Sequence, residues 1–271
     1  MNLRLLVVVT HLCVGFSACS TGSPAVGPPS LPGWDLVWSD EFNYDGLPDS
    51  TRWTYEVGMI RNRELQYYTR GRLENARVEN GTLIIEARKE SFDTAAYTSA
   101  SLTTEGRASW RYGRIEVRAM VPSGRGMWPA IWTLGTNRRE VGWPKTGEID
   151  VMESVGFAPD TLYANVHTEA FNHVRGNGKG TAVHAPGMHA DFHVYAVEWF
   201  PDRIDFFFDD QKYFTFVNTG GGVDEWPFDA EQYLILNAAI GGTWGGRHGV
   251  DDTIFPQGYR IDYVRVYRRN G

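Results

Sequence analysis

Cysteine is nearly missing from this 271-residue chain: there are two, Cys13 and Cys19, both close to the N-terminus. Everything after Cys19 therefore has neither a disulfide nor a thiolate metal site. A basic excess is missing too. Lys and Arg total 26 against 33 Asp and Glu, a formal net charge of −7. That balance excludes nucleic acid and an anionic membrane surface as natural partners. No apolar run is long enough to span a bilayer, and helical periodicity is almost absent. What the chain has is aromatic: 14% of its residues, with 10 Trp, alongside 30 Gly. Much of the Trp lies in polar surroundings, which points to exposed stacking surfaces as well as core. A neutral polymer or a small ligand suits such a surface.

The body of the chain reads as strands separated by turns. Trp34 to Phe42 opens it. Ala76 to Ala87 is a hairpin about Asn80-Gly81. Tyr112 to Val121 alternates, with Ile115, Val117, Ala119 and Val121 inward and Arg114, Glu116 and Arg118 on the other side. Leu162 to His167 alternates again, so Tyr163, Asn165 and His167 share a face. Val194–Phe200, Ile204–Phe208 and Lys212–Val217 are strands divided by turns. Tyr233 to Ile240 reads as a buried central strand, and Tyr259 to Tyr267 closes the chain. The Ser/Thr/Ala-rich stretch from Ser91 to Leu102 is expected to be a loop. This pattern predicts an all-β fold, a sandwich of two packed antiparallel sheets in one domain without internal repeats.

One stretch carries the chemistry: Glu148-Ile149-Asp150-Val151-Met152-Glu153. On a strand Glu148 and Asp150 share a face, while Glu153 falls at an odd offset. A β-bulge at about Val151-Met152 would return it to that face. Three clustered carboxylates cost stability, which makes a purely structural role a poor explanation unless a metal neutralises them. Two Glu beside Trp platforms suit glycoside hydrolysis. One carboxylate attacks the anomeric carbon, and the other, kept protonated, gives its proton to the leaving oxygen. Asp150, between them, raises a neighbour's pKa or orients the nucleophile.

This segment resembles the signature of glycoside hydrolase family 16, in the form with an extra residue that marks its laminarinase-like members. Trp128-Pro129-Ala130-Ile131-Trp132, Gly142-Trp143-Pro144, Glu64 to Thr69 and Asn165-Val166-His167-Thr168 also resemble bacterial endo-β-1,3-glucanases, and the likeness runs from Trp34 to Tyr267. It implies a β-jelly-roll sandwich with an open cleft on its concave face, and a retaining double displacement. It implies Glu148 as nucleophile, Glu153 as acid/base, Asp150 as assisting carboxylate and His167 as support on the neighbouring strand; a satisfied core histidine is the alternative for His167. Trp128, Trp132 and Trp143 match positions that line sugar subsites, against the ordinary reading of Trp as core. Trp244 is a weaker candidate. Asn62 and Arg114 resemble residues that bind sugar hydroxyls, against a surface turn and a cross-strand ion pair. A structural Ca²⁺ at Glu41, Gly81 and Asp262 is implied, the alternative being solvated surface carboxylates; no cofactor is expected for catalysis. The implied partner is a β-glucan and the implied state a monomer. Mixed β-1,3-1,4-glucan or a galactan is the alternative substrate. The glutamate pair argues against a non-catalytic glucan-binding module.

Residues 1–19 read as an export signal, with Arg4 before an apolar segment from Leu5 to Phe16. Phe16-Ser17-Ala18-Cys19 resembles a bacterial lipoprotein box with Cys19 as the lipidated residue, and simple secretion is the alternative. Such an anchor is the one membrane attachment expected. Residues 20–32 form a Pro/Gly/Ser linker, which leaves 33–271 as the catalytic domain.

Overall fold

Alternating β-branched and aromatic residues, cut by Gly and Asx turns, produce seventeen strands in the computed structural model. It describes Met1 and residues 30–271. The expected export signal, Cys19 and the expected linker up to residue 29 lie outside the described residues. The strands are β1 (Trp34–Asp40), β2 (Thr54–Glu56), β3 (Gln66–Tyr68), β4 (Ala76–Glu79), β5 (Thr82–Phe92), β6 (Ala95–Ser99) and β7 (Ser101–Thr103). They continue as β8 (Gly113–Met120), β9 (Met127–Gly135), β10 (Glu148–Glu153), β11 (Thr161–His167) and β12 (Lys179–His184). The last are β13 (His193–Trp199), β14 (Arg203–Phe208), β15 (Gln211–Val217), β16 (Gln232–Ile240) and β17 (Gln257–Arg269). A single helical turn, α1 (Arg138–Val141), interrupts the β9–β10 connection.

Two sheets form. One has ten strands in the order β15-β14-β13-β8-β17-β5-β6-β3, with β1 on β17 and β4 on β5. The other has seven, in the order β12-β11-β10-β9-β16-β7-β2. The pairings are antiparallel except for β3 with β6, which run parallel. The core lies between the sheets. Ile115, Val117 and Ala119 of β8, with Val121 just beyond it, enter the core from one side. Met127 and Ile131 of β9 and Leu236 and Ala238 of β16 enter from the other. Each buried Val, Ile, Leu or Phe contributes about 1.5–3 kcal/mol of transfer free energy. The β4–β5 hairpin turns through Asn80 and Gly81, with φ of 53° and 73°, the positive pair that a two-residue turn of this hand requires.

The expected loop from Ser91 to Leu102 is instead strand. β5 continues to Phe92, turns at Asp93 and returns as β6 and β7. Ala100 and Leu102 are fully buried, and so are Thr98, Ser99 and Ser101. Their hydroxyls are matched: Ser99 Oγ donates to the Ala238 carbonyl at 2.7 Å and Ser101 Oγ to Glu56 at 2.6 Å. A Ser/Thr composition that mimics a loop is here the lining of two buried strands, β6 in the ten-stranded sheet and β7 in the seven-stranded one.

Candidate active site

The site is built on β10. Its Ile149, Val151 and Met152 are fully buried in the core, which fixes the sheet's other face for Glu148 and Asp150. Glu148 lies opposite Leu134 of β9 and His167 of β11, and Asp150 opposite Trp132 and Asn165. The register then slips. Met152 pairs with Ile131, which leaves Val151 as the extra residue, and Glu153 pairs with Ala130 and Tyr163. The bulge falls where the acidic offset predicted it. All three carboxylates reach one cleft of about 840 Å³ on the outer face of the seven-stranded sheet.

Each glutamate accepts an indole N–H. Trp143 Nε1 donates to Glu148 Oε2 at 3.1 Å, and Trp128 Nε1 donates to Glu153 Oε1 at 2.9 Å. Asn165 Nδ2 adds a second bond to Glu153, 3.2 Å from Oε2. His167 Nε2 stands 3.2 Å from Asp150 Oδ2 and 3.7 Å from Glu148 Oε1. Burial is the main reason that all three carboxyls are pushed far above the usual carboxylate range. For Glu148 and Glu153 the charge of Asp150 adds to the rise, while His167 and the indole N–H groups oppose it. Three such groups side by side oppose one another's ionisation, so the cluster holds protons more tightly than isolated carboxyls do. That supplies both an acid and a base from one residue type.

The floor continues through neutral hydrogen bonds. Trp132 Nε1 donates to Asn237 Oδ1 at 2.7 Å, and Asn237 Nδ2 donates to Tyr68 Oη at 3.0 Å. Buried Glu64 accepts from Asn62, Gln66 and Tyr68. The Arg61 guanidinium lies over the Trp132 ring, 4.7 Å from its centroid, a cation–π contact at the cleft wall.

The cleft brings together Glu148, Asp150, Glu153 and His167 with Trp128, Trp132, Trp143 and Asn62. Trp244, weighed as a weaker candidate, lines it as well, edge-on to Trp128 at 5.4 Å and to Tyr163 at 4.9 Å. Arg114 is not there. It sits on β8 in the ten-stranded sheet, bonded to Glu116 at 2.9 Å and Glu198 at 3.2 Å. Its alternation placed it correctly on the face away from the core, but that face belongs to the sheet without the cleft.

The expected calcium ligands Glu41, Gly81 and Asp262 lie on neighbouring stretches of the ten-stranded sheet. Asp40 pairs with Val264, so Glu41 and Asp262 lie near one another beside β17, and Ile261 pairs with Leu83, close to Gly81. Both carboxylates already hold guanidinium groups. Arg265 donates to Glu41 Oε1 at 3.0 Å and Oε2 at 2.7 Å, and Arg118 donates to Asp262 at 2.6 Å. A cation would have to displace a guanidinium from each.

Sequence reasoning passed over Arg61, Glu64, His173 and Asn237, all of which line the cleft. Asn237 had a signal, being the single polar residue inside an apolar run. His173 had none, since a loop brings it to the site.

Paired carboxylates in a partly dry cleft, with indole platforms and neutral hydrogen-bonding groups around them, define a glycoside hydrolase. A sequence profile described as glycosyl hydrolases family 16 matches residues 64–265. A β-glucanase of Rhodothermus marinus is 54% identical over 247 residues, 88% of this chain and 86% of the relative. The chain belongs to that family. The solved structure of the laminarinase from Rhodothermus marinus superposes with a TM-score of 0.86 at 52% identity, covering 89% of this chain and 100% of the other. SCLam, a non-specific endo-β-1,3(4)-glucanase of family GH16 co-crystallised with 1,3-β-D-cellotriosyl-glucose, superposes with a TM-score of 0.85 at 45% identity. It covers 88% of this chain and 96% of its own. The two packed sheets are thus a family 16 jelly roll.

Proposed function

We propose that this chain is an endo-acting β-1,3-glucanase that retains anomeric configuration. The observation that carries this reading is the β10 bulge, which returns Glu153 to the face of Glu148 and lets each glutamate take its own indole N–H. Ionised Glu148 attacks the anomeric carbon while Glu153 passes its proton to the departing glycosidic oxygen. A glycosyl ester on Glu148 results. Water then attacks the same carbon, Glu153 takes the water's proton, and Glu148 leaves as carboxylate. Asp150, 3.2 Å from His167, stays close to the nucleophile and limits how readily its neighbours ionise. Trp128, Trp132 and Trp143 offer flat apolar surfaces to the sugar faces.

Incubation with laminarin, lichenan and agarose, followed by reducing-end assay, tests the substrate. Release from laminarin is expected, and no release from any β-glucan contradicts the proposal. Mixed-linkage activity is the second reading, favoured by the likeness to a non-specific endo-β-1,3(4)-glucanase; lichenan hydrolysis at a rate close to that on laminarin supports it. Export, with a lipid anchor on Cys19, is supported by the signal pattern of residues 1–19. Cys19→Ser is expected to release the protein from membrane fractions, and a protein soluble before and after the change argues for simple secretion.

A further inference from the structure

Trp143 occupies no strand. It lies in the connection between α1 and β10, is 37% exposed, and still aims its N–H at the carboxylate read as the nucleophile. Something must hold that ring. Its aromatic neighbours are two imidazoles, His167 at 6.0 Å and His173 at 5.3 Å. His167 is fixed within β11 and buried. His173 reaches the same place from a separate loop, and its edge meets His167 at 5.0 Å with an interplanar angle of 88°. Among the described residues its ring makes no hydrogen bond, so the neighbouring rings are its packing partners.

The loop that delivers His173 is tied into one shape. Thr168 N–H donates to the Phe171 carbonyl at 2.7 Å, and Asn177 Nδ2 donates to the Ala170 carbonyl at 2.9 Å. Asn172, 2% exposed, donates from Nδ2 to the Thr168 carbonyl at 3.0 Å and accepts from Arg175 N–H at 3.1 Å. The single turn His173–Arg175 follows from that cap. So much local bonding around an exposed histidine makes sense if the loop's task is to present it.

We propose that His173 is a positioning residue. It packs on Trp143 and thereby keeps the indole N–H on Glu148, closing that end of the cleft. The proposal rests on the reading of Glu148 as nucleophile. The titratable groups facing Glu148 are Asp150 and Glu153 on its own strand and His167 on β11. From β9, its opposite residue is Leu134, and the Trp143 loop adds one uncharged donor. Loss of that donor makes Glu148 harder to ionise, so the acid limb of kcat/KM moves to higher pH.

The test is a double-mutant cycle on laminarin across pH, with His173→Ala, Trp143→Phe and the pair. His173→Ala is expected to lower kcat about five- to tenfold, less than the roughly 10- to 150-fold that loss of a whole hydrogen bond to a charged group would cost because the indole stays tethered by its own loop, and to move the acid limb upward as Trp143→Phe does. The double variant should be no worse than Trp143→Phe alone, and His173→Phe should restore both kcat and the limb. Additive losses overturn the proposal. So does a His173→Ala variant that raises KM with its acid limb unmoved, which would make His173 a sugar contact. Turnover retained by Glu148→Gln would instead remove the underlying reading, so the two failures are distinguishable.

Discussion

The two ends of β10 use one device on different mounts. At the Glu153 end the indole comes from Trp128, inside β9, backed by Trp244, which Tyr163 meets in turn, both in edge contacts. Asn165 from β11 shares the work. At the Glu148 end the indole comes from Trp143, in a loop, backed by two imidazoles. A strand mount inherits its precision from the ladder of backbone hydrogen bonds. A loop mount must be held by side chains, and here one of them, His173, comes from a second loop. His173 carries a pKa lowered by partial burial and by the nearby His167, so it tends to stay neutral. The Glu153 end therefore reads as the stiff side of the site and the Glu148 end as the adjustable one.

The largest expected effect is at the centre of that comparison. Glu148→Gln should cut kcat by at least about 10⁴-fold, as removal of a nucleophile does. Its unfolding temperature should not fall. The raised pKa values mean that, across neutral pH, the unfolded chain binds fewer protons than the folded cluster. Stability then falls as pH rises through the folded pKa values. Gln removes one of the three coupled acids, so its stabilising effect should be larger at pH about 8 than at pH about 4, as thermal melts at both will show. Glu153→Ala should cost about 10²–10⁴-fold on laminarin, the range for a lost general acid. The loss should shrink on an aryl glycoside whose leaving group needs no proton.

Trp128→Phe against Trp143→Phe sharpens the contrast between the mounts. Each loses one N–H to a carboxylate, worth about 1.5–3 kcal/mol. Trp143→Phe should move the acid limb of the pH profile upward. Trp128→Phe should move the basic limb upward, because Glu153 must be protonated to act and loses a donor that favours its ionised form. Equal movement of one limb by both variants would erase the distinction between the two ends.

How much of this was legible depended on whether strand or loop carried it. Glu148, Asp150, Glu153 and His167 follow from period-two alternation plus one bulge, and the bulge announced itself as an odd offset. Trp128 and Trp132 were legible through the family resemblance, and β9 places both on the cleft side. His173 was not, because its position depends on the loop bonds around Asn172 rather than on a period. β12 escaped notice because it is a mostly exposed edge strand with few apolar residues. Arg114 shows the converse limit: alternation tells which face a residue takes, and only topology tells which sheet owns that face.

The smallest effects are expected away from the cleft. Arg114→Met should leave KM for laminarin unchanged while lowering stability by about 1–3 kcal/mol, since Glu198 loses its cation and Glu116 keeps only Arg265 at 3.9 Å. A chelator should leave the unfolding temperature unmoved, because guanidinium groups already match Glu41 and Asp262. A Ca²⁺-dependent rise would show that the metal displaces them.

The central claim is that the bulge makes Glu148 and Glu153 a retaining pair with Glu148 attacking. The direct measurement is to trap the intermediate with a 2-deoxy-2-fluoro glucan glycoside bearing a good leaving group, digest the protein, and locate the added mass. A glycosyl ester on Glu148 is the expected result. An ester on Glu153 or Asp150, or no adduct together with an α-configured first product, would contradict it.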